Sequence, residues 1–212
     1  MKLSKTKYLL FLILSFSATN VSSQTFLLDC GINFEKLTDK NISTNGKAET
    51  SDDSKQLINS FKDAQDRWIA CLLNKTLPKF SFLDISGNEI NSDSLKEKIL
   101  VIQFWSELCP PCMDEIPIIN KLASTLKNEN VVFITIANCN YRKVKSSTRF
   151  QSVFIPSSVE EISKFGVVAY PTILICSKGN IISKVYLGAD RNKLESFSDE
   201  LLSVITSEIK KK

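Results

Sequence analysis

The chain opens with one short apolar block and then alternates between helical and extended hydrophobic periods. Residues 8–16 are almost wholly apolar, follow Lys2, Lys5 and Lys7, and precede the small-residue stretch Val21-Ser22-Ser23. Basic, apolar and small-residue regions in that order predict a cleaved export signal over residues 1–23, with the mature chain starting near Gln24. A block of about nine apolar residues falls well short of the roughly 20 that span a bilayer, so no transmembrane span is predicted in the mature chain. A lipoprotein reading of Leu27-Leu28-Asp29-Cys30 fits less well, because this Cys lies far beyond the apolar block and follows an Asp.

Residues 24–50 are polar and weakly patterned, with Asn41, Ser43, Thr44, Asn45 and Gly46 marking a loop, and little regular structure is predicted there. A helical period then sets in. Ser51 or Ser54 can cap a helix whose first turn holds Asp52 and Asp53, and Leu57, Phe61, Ala64, Trp68 and Leu72 fall on one face. Residues 24–76 therefore form an N-terminal extension whose amphipathic helix should pack onto a main domain spanning residues 77–212.

In that domain, Phe80, Phe82 and Ile85 alternate, Gly87-Asn88 supplies a turn, and Ile90 resumes, which predicts a hairpin. Residues 99–105 and 131–137 are near-continuous apolar runs, as strands covered on both faces are. Between them a helix opens at Pro110-Pro111 and runs through Ile116, Ile119 and Leu122 to about Leu126, with Pro117 predicted to kink it. The strand-helix-strand unit should be right-handed with parallel strands. A short extended segment near residues 150–156 follows. Ser158 to Glu161 then reads as a capping box for a short helix ended by Gly166. Residues 172–176 and 181–187 form two more strands joined at Lys178-Gly179-Asn180. Asp190 caps a last helix with Leu194, Phe197, Leu201, Ile205 and Ile209 on one stripe. The pattern is α/β, without internal repeats.

Composition narrows the chemistry. Of 212 residues, 43% are hydrophobic and 24% charged, a globular balance. The net charge of +4 includes the three lysines of the export segment, so about +1 remains without it and no nucleic-acid footprint is left. The chain has no His at all, which excludes Ser-His-Asp and Cys-His catalysis and any zinc site that needs an imidazole. Chemistry must run on cysteine, carboxylate, lysine or backbone. Six cysteines in a chain of this size are not a disulfide scaffold, since the chain can bury enough surface without staples.

Two of them, Cys109 and Cys112, flank Pro110-Pro111 directly after the first buried strand. A helix start presents unpaired N–H groups and a partial positive charge, which stabilise a thiolate on Cys109. Cys112, one turn along, is close enough to close a reducible disulfide, so Cys109 attacks and Cys112 resolves. Zinc would need four ligands, and neither a second close Cys pair nor a His is present. A permanent staple is a poor use of so short a loop. No metal and no tightly held cofactor are expected.

The segment from Phe104-Trp105 through Cys109-Pro110-Pro111-Cys112 to Glu115-Ile116-Pro117 resembles the active-site segment of the thioredoxin superfamily, in particular its exported TlpA/ResA-like branch. Gly166-Val167-Val168-Ala169-Tyr170-Pro171-Thr172 resembles the same superfamily's loop bearing a cis-proline. The resemblance covers about residues 77–209. It implies a thioredoxin-like fold, a central mixed β-sheet flanked by helices, here with an N-terminal helical extension. It further implies a cis Tyr170-Pro171 bond facing the cysteines and a substrate surface drawn from Trp105, Pro110, Pro111, Tyr170 and Pro171. Glu115 matches a carboxylate near the cysteine pair that takes the Cys112 proton; the alternative is a carboxylate that merely stabilises the first helical turn.

Three positions depart from the pattern. Leu108 replaces the aromatic that commonly precedes the first cysteine, removing a flat contact surface. Gln103 stands where cytosolic thioredoxins carry a buried Asp, which leaves Glu115 less competition for the proton. Pro110 is the third, and together with Pro111, which fits the pattern, it removes two amide donors from the helix start, so the thiolate is less stabilised and the dithiol is expected to be a good reductant.

The resemblance implies an exported, periplasmic thiol-disulfide oxidoreductase that reduces disulfides of exported proteins, including the haem-attachment cysteines of apocytochromes, and is recycled by a membrane-borne thiol-disulfide electron donor. A peroxiredoxin-like peroxide reductase and a non-enzymatic thioredoxin-like binding module are the alternatives. Export also leaves open a disulfide between Cys30 and Cys71. Cys176, in an apolar strand, reads as a buried thiol, and Cys139 as an inert thiol or an accessory redox group.

Overall fold

The computed structural model describes residues 27, 29–36, 38, 51–127, 129–138 and 150–211. The export signal expected over residues 1–23, the loop expected at residues 41–46 and Cys139 lie outside the described residues. The central strand, β3 (Ile99–Ser106), is buried at all eight positions. It belongs to a five-stranded sheet with β4 (Val131–Asn138), β5 (Val153–Ser157), β6 (Thr172–Ser177) and β7 (Ile181–Leu187), in the order β5-β4-β3-β6-β7. The β3–β4 and β4–β5 pairs are parallel, whereas β3–β6 and β6–β7 are antiparallel, so the sheet is mixed. A separate hairpin pairs β1 (Ser81–Leu83) with β2 (Glu89–Asn91), Phe82 facing Ile90.

Helices cover both faces. On one face, α3 (Pro110–Thr125) and α5 (Leu194–Lys210) send Ile119, Leu122, Leu201 and Ile205 against Ile99, Val101, Ile173 and Ile175. Pro117 lies inside α3, which runs on beyond it. Asp190 does not cap α5 directly. It accepts the Asn192 N–H of a 3-10 turn over Arg191–Lys193, and α5 begins only after that turn. The short α4 (Val159–Ser163) is capped as the sequence implies, Ser158 accepting the Glu161 N–H at 3.2 Å.

The opposite face carries the N-terminal extension. Helix α2 (Ser51–Leu72) buries Ala64, Trp68 and Leu72, while Leu57 and Phe61 on the same stripe are half-buried. Trp68 and Leu72 join Leu100, Ile102, Phe104 and Leu174 in one apolar cluster. Among the described residues no helix is long and apolar enough to cross a membrane.

Residues 24–50 correct the sequence expectation, because residues 29–36, here α1, are helical. Their own pattern is weak; the order comes from tertiary contacts. Cys30 is bonded to Cys71 at a Cα separation of 5.8 Å, Leu27 is fully buried, and the Phe34 ring lies 5.9 Å from that of Trp68. A cross-link between residues 41 apart stabilises the fold by about 4 kcal/mol in the chain-entropy view.

Gly166 is one point where both N-terminal helices meet the domain. Its φ is +74°, and a Cβ built there would stand 2.6 Å from the Leu27 carbonyl oxygen and 2.7 Å from Leu72 Cδ2. Gly166→Ala is therefore expected to lower unfolding stability by about 2–4 kcal/mol, from left-handed strain plus the clash. Urea unfolding measures this as a drop in midpoint at constant slope. A loss below about 1 kcal/mol would show that α1 yields freely.

Candidate active site

Strand β3 ends at Ser106, and the backbone turns there: the Cys109 N–H donates to the Ser106 carbonyl at 3.1 Å and the Leu108 N–H reaches the Ser106 hydroxyl at 3.3 Å. Cys109 is the extended N-cap residue of α3, and Pro110 and Pro111 fill the first helical positions, where a missing N–H leaves no hydrogen bond unmade. The Cys112 N–H is then the amide directed at the Cys109 sulfur, at 3.3 Å. Sequence alone anticipates two donors lost; the structure identifies the one that remains.

Cys109 and Cys112 are joined, with a Cα separation of 5.3 Å. Their environments differ sharply. Cys109 is half-buried, whereas Cys112 is fully buried among Trp105, Ile116, Ala137 and Phe154. An incoming sulfur can reach only the first of the pair. Around it stand exposed apolar residues: Leu108 at 86% exposure, Met113 at 43%, and Pro110 and Pro111.

Trp105 requires a correction. Expected to contribute to the substrate surface, it is 1% exposed, and its ring rests against Phe150 and Phe154 at 5.7 and 6.2 Å. It belongs to the inner face of a fully covered strand, so it forms the floor beneath Cys112. Its indole Nε1 has no hydrogen-bond partner.

Tyr170-Pro171 is a cis bond. Tyr170 is half-buried and packs on the same Trp105 cluster as Cys109, which brings this loop beside the disulfide. Pro171 itself is buried, and its carbonyl accepts the Gly188 N–H at 2.9 Å. Thr172 anchors the loop by donating its hydroxyl to the Ala169 carbonyl at 2.8 Å.

Glu115 lies beyond the first turn of α3 and is 1% exposed, so it does not stabilise the helix start from solvent. It points into the sheet. The Gln103 side chain on β3 donates Nε2–H to Glu115 Oε2 at 3.3 Å. Burial pushes the Glu115 carboxyl up to about 7; the Gln103 amide and the Ala189 backbone dipole oppose this, and the charge of Asp114 adds to it. Oε1 accepts no hydrogen bond of ordinary geometry, and neither does Gln103 Oε1. Asp114 itself is paired with Arg191. A buried carboxyl that titrates near neutrality is suited to exchange a proton with a sulfur.

Of the remaining cysteines, Cys176 is fully buried, and burial pushes its thiol up, with the charge of Glu208 acting in the same direction. It has no route to a partner. Among the described residues no group of three or more His, Cys, Asp or Glu is placed to hold a metal ion. The Gln103 contact with Glu115 was legible only as an unusual residue at a known strand position, and nothing in the local pattern pointed to Ala189.

The chain is 26% identical over 131 residues to the thiol-disulfide oxidoreductase ResA of Bacillus thuringiensis subsp. konkukian, covering 59% of this chain and 76% of that protein. Its fold matches the crystal structure of a thiol:disulfide interchange protein of the thioredoxin family from Chlorobium tepidum TLS. The TM-score is 0.55 at 24% identity, over 63% of this chain and 95% of that one. The pneumococcal exposed lipoprotein thioredoxin of Streptococcus pneumoniae strain TIGR4 matches with a TM-score of 0.53 at 16% identity, over 61% and 98% of the two chains. The fold is thioredoxin-like, and the enzyme class is that of the thiol-disulfide oxidoreductases of the ResA kind. Residues 73–184, more than half of the chain, match the sequence profile of the AhpC/TSA family, and the chain belongs to it.

The Glu115 environment predicts a pH effect on stability. The folded carboxyl holds its proton to about pH 7, whereas the unfolded one releases it near 4.5, so the folded state binds more protons between these values. Stability of the oxidised protein should therefore fall as pH rises from about 4.5 to about 7, by on the order of 3 kcal/mol, and then level off. Urea midpoints measured across that range should lose this slope in Glu115→Gln. A slope that survives the substitution assigns the effect to another group.

Proposed function

We propose that this chain is an exported reductant of protein disulfides that works through the Cys109–Cys112 pair. Residues 1–23 act as the export signal, residues 24–76 as an extension and residues 77–212 as the redox domain, which operates in the periplasm or an equivalent exported compartment. In the reduced enzyme, the Cys109 thiolate attacks one sulfur of a substrate disulfide and expels the other as a thiolate. The Cys112 thiol loses its proton to Glu115 and attacks Cys109, releasing the second substrate thiol and closing the enzyme disulfide. Two electrons pass to the substrate, and a membrane-borne thiol-disulfide donor returns them to the enzyme.

The observation that carries this reading is the unequal burial of two bonded sulfurs at a helix start, one half-exposed and one enclosed. Pro110, Pro111 and Tyr170 border the reactive sulfur and supply the contact surface, and Pro171 shapes the loop behind it. Disulfides of exported proteins are the substrate class, with the haem-attachment cysteines of apocytochromes as the favoured case by resemblance to the ResA-like branch.

A peroxide reductase is the second reading, favoured by the AhpC/TSA profile match. That chemistry uses a lone attacking cysteine in a Thr-containing loop, whereas the attacking sulfur here has a partner within one helical turn. Peroxide consumption coupled to oxidation of Cys109 would support it. A binding module without chemistry predicts instead that Cys109→Ser retains function.

The direct test is trapping. Cys112→Ser, expressed with its export segment, should accumulate thiol-sensitive covalent adducts on Cys109, and Cys109→Ser should accumulate none. Recovery of no adduct on Cys112→Ser would contradict disulfide exchange. A reduction potential near the oxidising end, about −120 mV, would contradict the reducing direction.

A further inference from the structure

The loop that brings Tyr170 and Pro171 to the active site has no regular structure between Gly166 and Pro171, so its position depends on what grips it. From within the domain it is held by Gly188 and Thr172. Its N-terminal half is held by the extension. The Trp68 indole, 2% exposed, donates Nε1–H to the Gly166 carbonyl at 2.8 Å across 98 residues of sequence. The Leu27 carbonyl and Leu72 close over Gly166 so tightly that no side chain fits, and Gly31 faces Val168, whose Cγ1 would lie 3.3 Å from a Cβ built there. The Cys30–Cys71 bond ties the two gripping helices together.

We infer that the N-terminal extension positions the active site, with Trp68 and the Cys30–Cys71 cross-link setting where the Gly166–Pro171 loop presents its substrate-facing edge. Trp68 touches neither reacting sulfur; it is a positioning residue that acts through Gly166. The inference rests on the reading above that this loop contacts substrate. The physical basis is that a buried carbonyl deprived of its donor seeks another partner or water. Only four residues lie between that carbonyl and Pro171, too few to absorb the shift.

The test compares Trp68→Phe, which keeps a ring but removes the donor, and Cys30→Ser/Cys71→Ser with the wild-type chain. Two substrates are used: insulin, whose disulfides must dock, and oxidised glutathione, which needs only the sulfur. Both variants are expected to raise KM for insulin by about threefold or more while the glutathione reaction stays within about twofold. Amide hydrogen exchange should accelerate at residues 166–170 and stay unchanged in β3. If thermal stability falls but the insulin KM and the exchange at 166–170 do not move, the role is merely structural and the inference is overturned. A parallel loss with both substrates overturns it as well. Should the double serine variant fail to fold, Trp68→Phe decides alone. A wild-type chain that reduces neither substrate defeats the proposed function; the exchange measurement then still decides whether the extension holds the loop.

Discussion

The structure depends on the junction between β3 and α3, where a fully covered strand stops and a helix starts within three residues. A strand buried at every position must hand the chain to the surface at its end, and a helix start leaves N–H groups unpaired. Cysteine at the N-cap answers both needs, since its sulfur takes the Cys112 N–H and stays half-exposed. The two prolines that follow cost no hydrogen bonds there and hold the first turn in shape. One turn later the helix has already entered the core, so the second sulfur is enclosed. The asymmetry on which sulfur exchange depends is thus a consequence of helix geometry.

Beneath this junction the molecule keeps an incompletely satisfied polar pair. Gln103 and Glu115 share one hydrogen bond between the central strand and α3, and each leaves an oxygen without a partner. Stability alone would favour apolar residues at such sites. Keeping a carboxyl there raises its proton affinity into the range where thiol chemistry proceeds. On the other face of the sheet the extension plays the complementary part, since α1 and α2 share the apolar cluster of the domain and close over the loop that faces the disulfide.

Much of this was legible from residue order. The runs at 99–105 and 131–137 announced buried parallel strands, and Cys109-Pro110-Pro111-Cys112 announced a helix start with two sulfurs one turn apart. What escaped depended on distant partners. Helix α1 has little periodicity of its own and is ordered by Cys71, Trp68 and Gly166, residues far along the chain. The direction of Trp105 was hidden because a strand covered on both faces shows no alternation from which to read a face. Glu115 could serve the helix start or the interior by its position in sequence; only the packing of α3 against β3 decides for the interior. The tight approach at Gly166 left a glycine as its sole trace, and a helix-ending glycine looks the same.

In the reduced protein the two active-site sulfurs should differ in reactivity as they differ in burial. Alkylation by iodoacetamide at limiting reagent over a range of pH, read by mass spectrometry for each cysteine, measures this directly. Cys109 should be modified first, with a midpoint below the free-thiol value of about 8.5, while Cys112 is protected. Equal modification of both, or preferential modification of Cys112, would contradict the account.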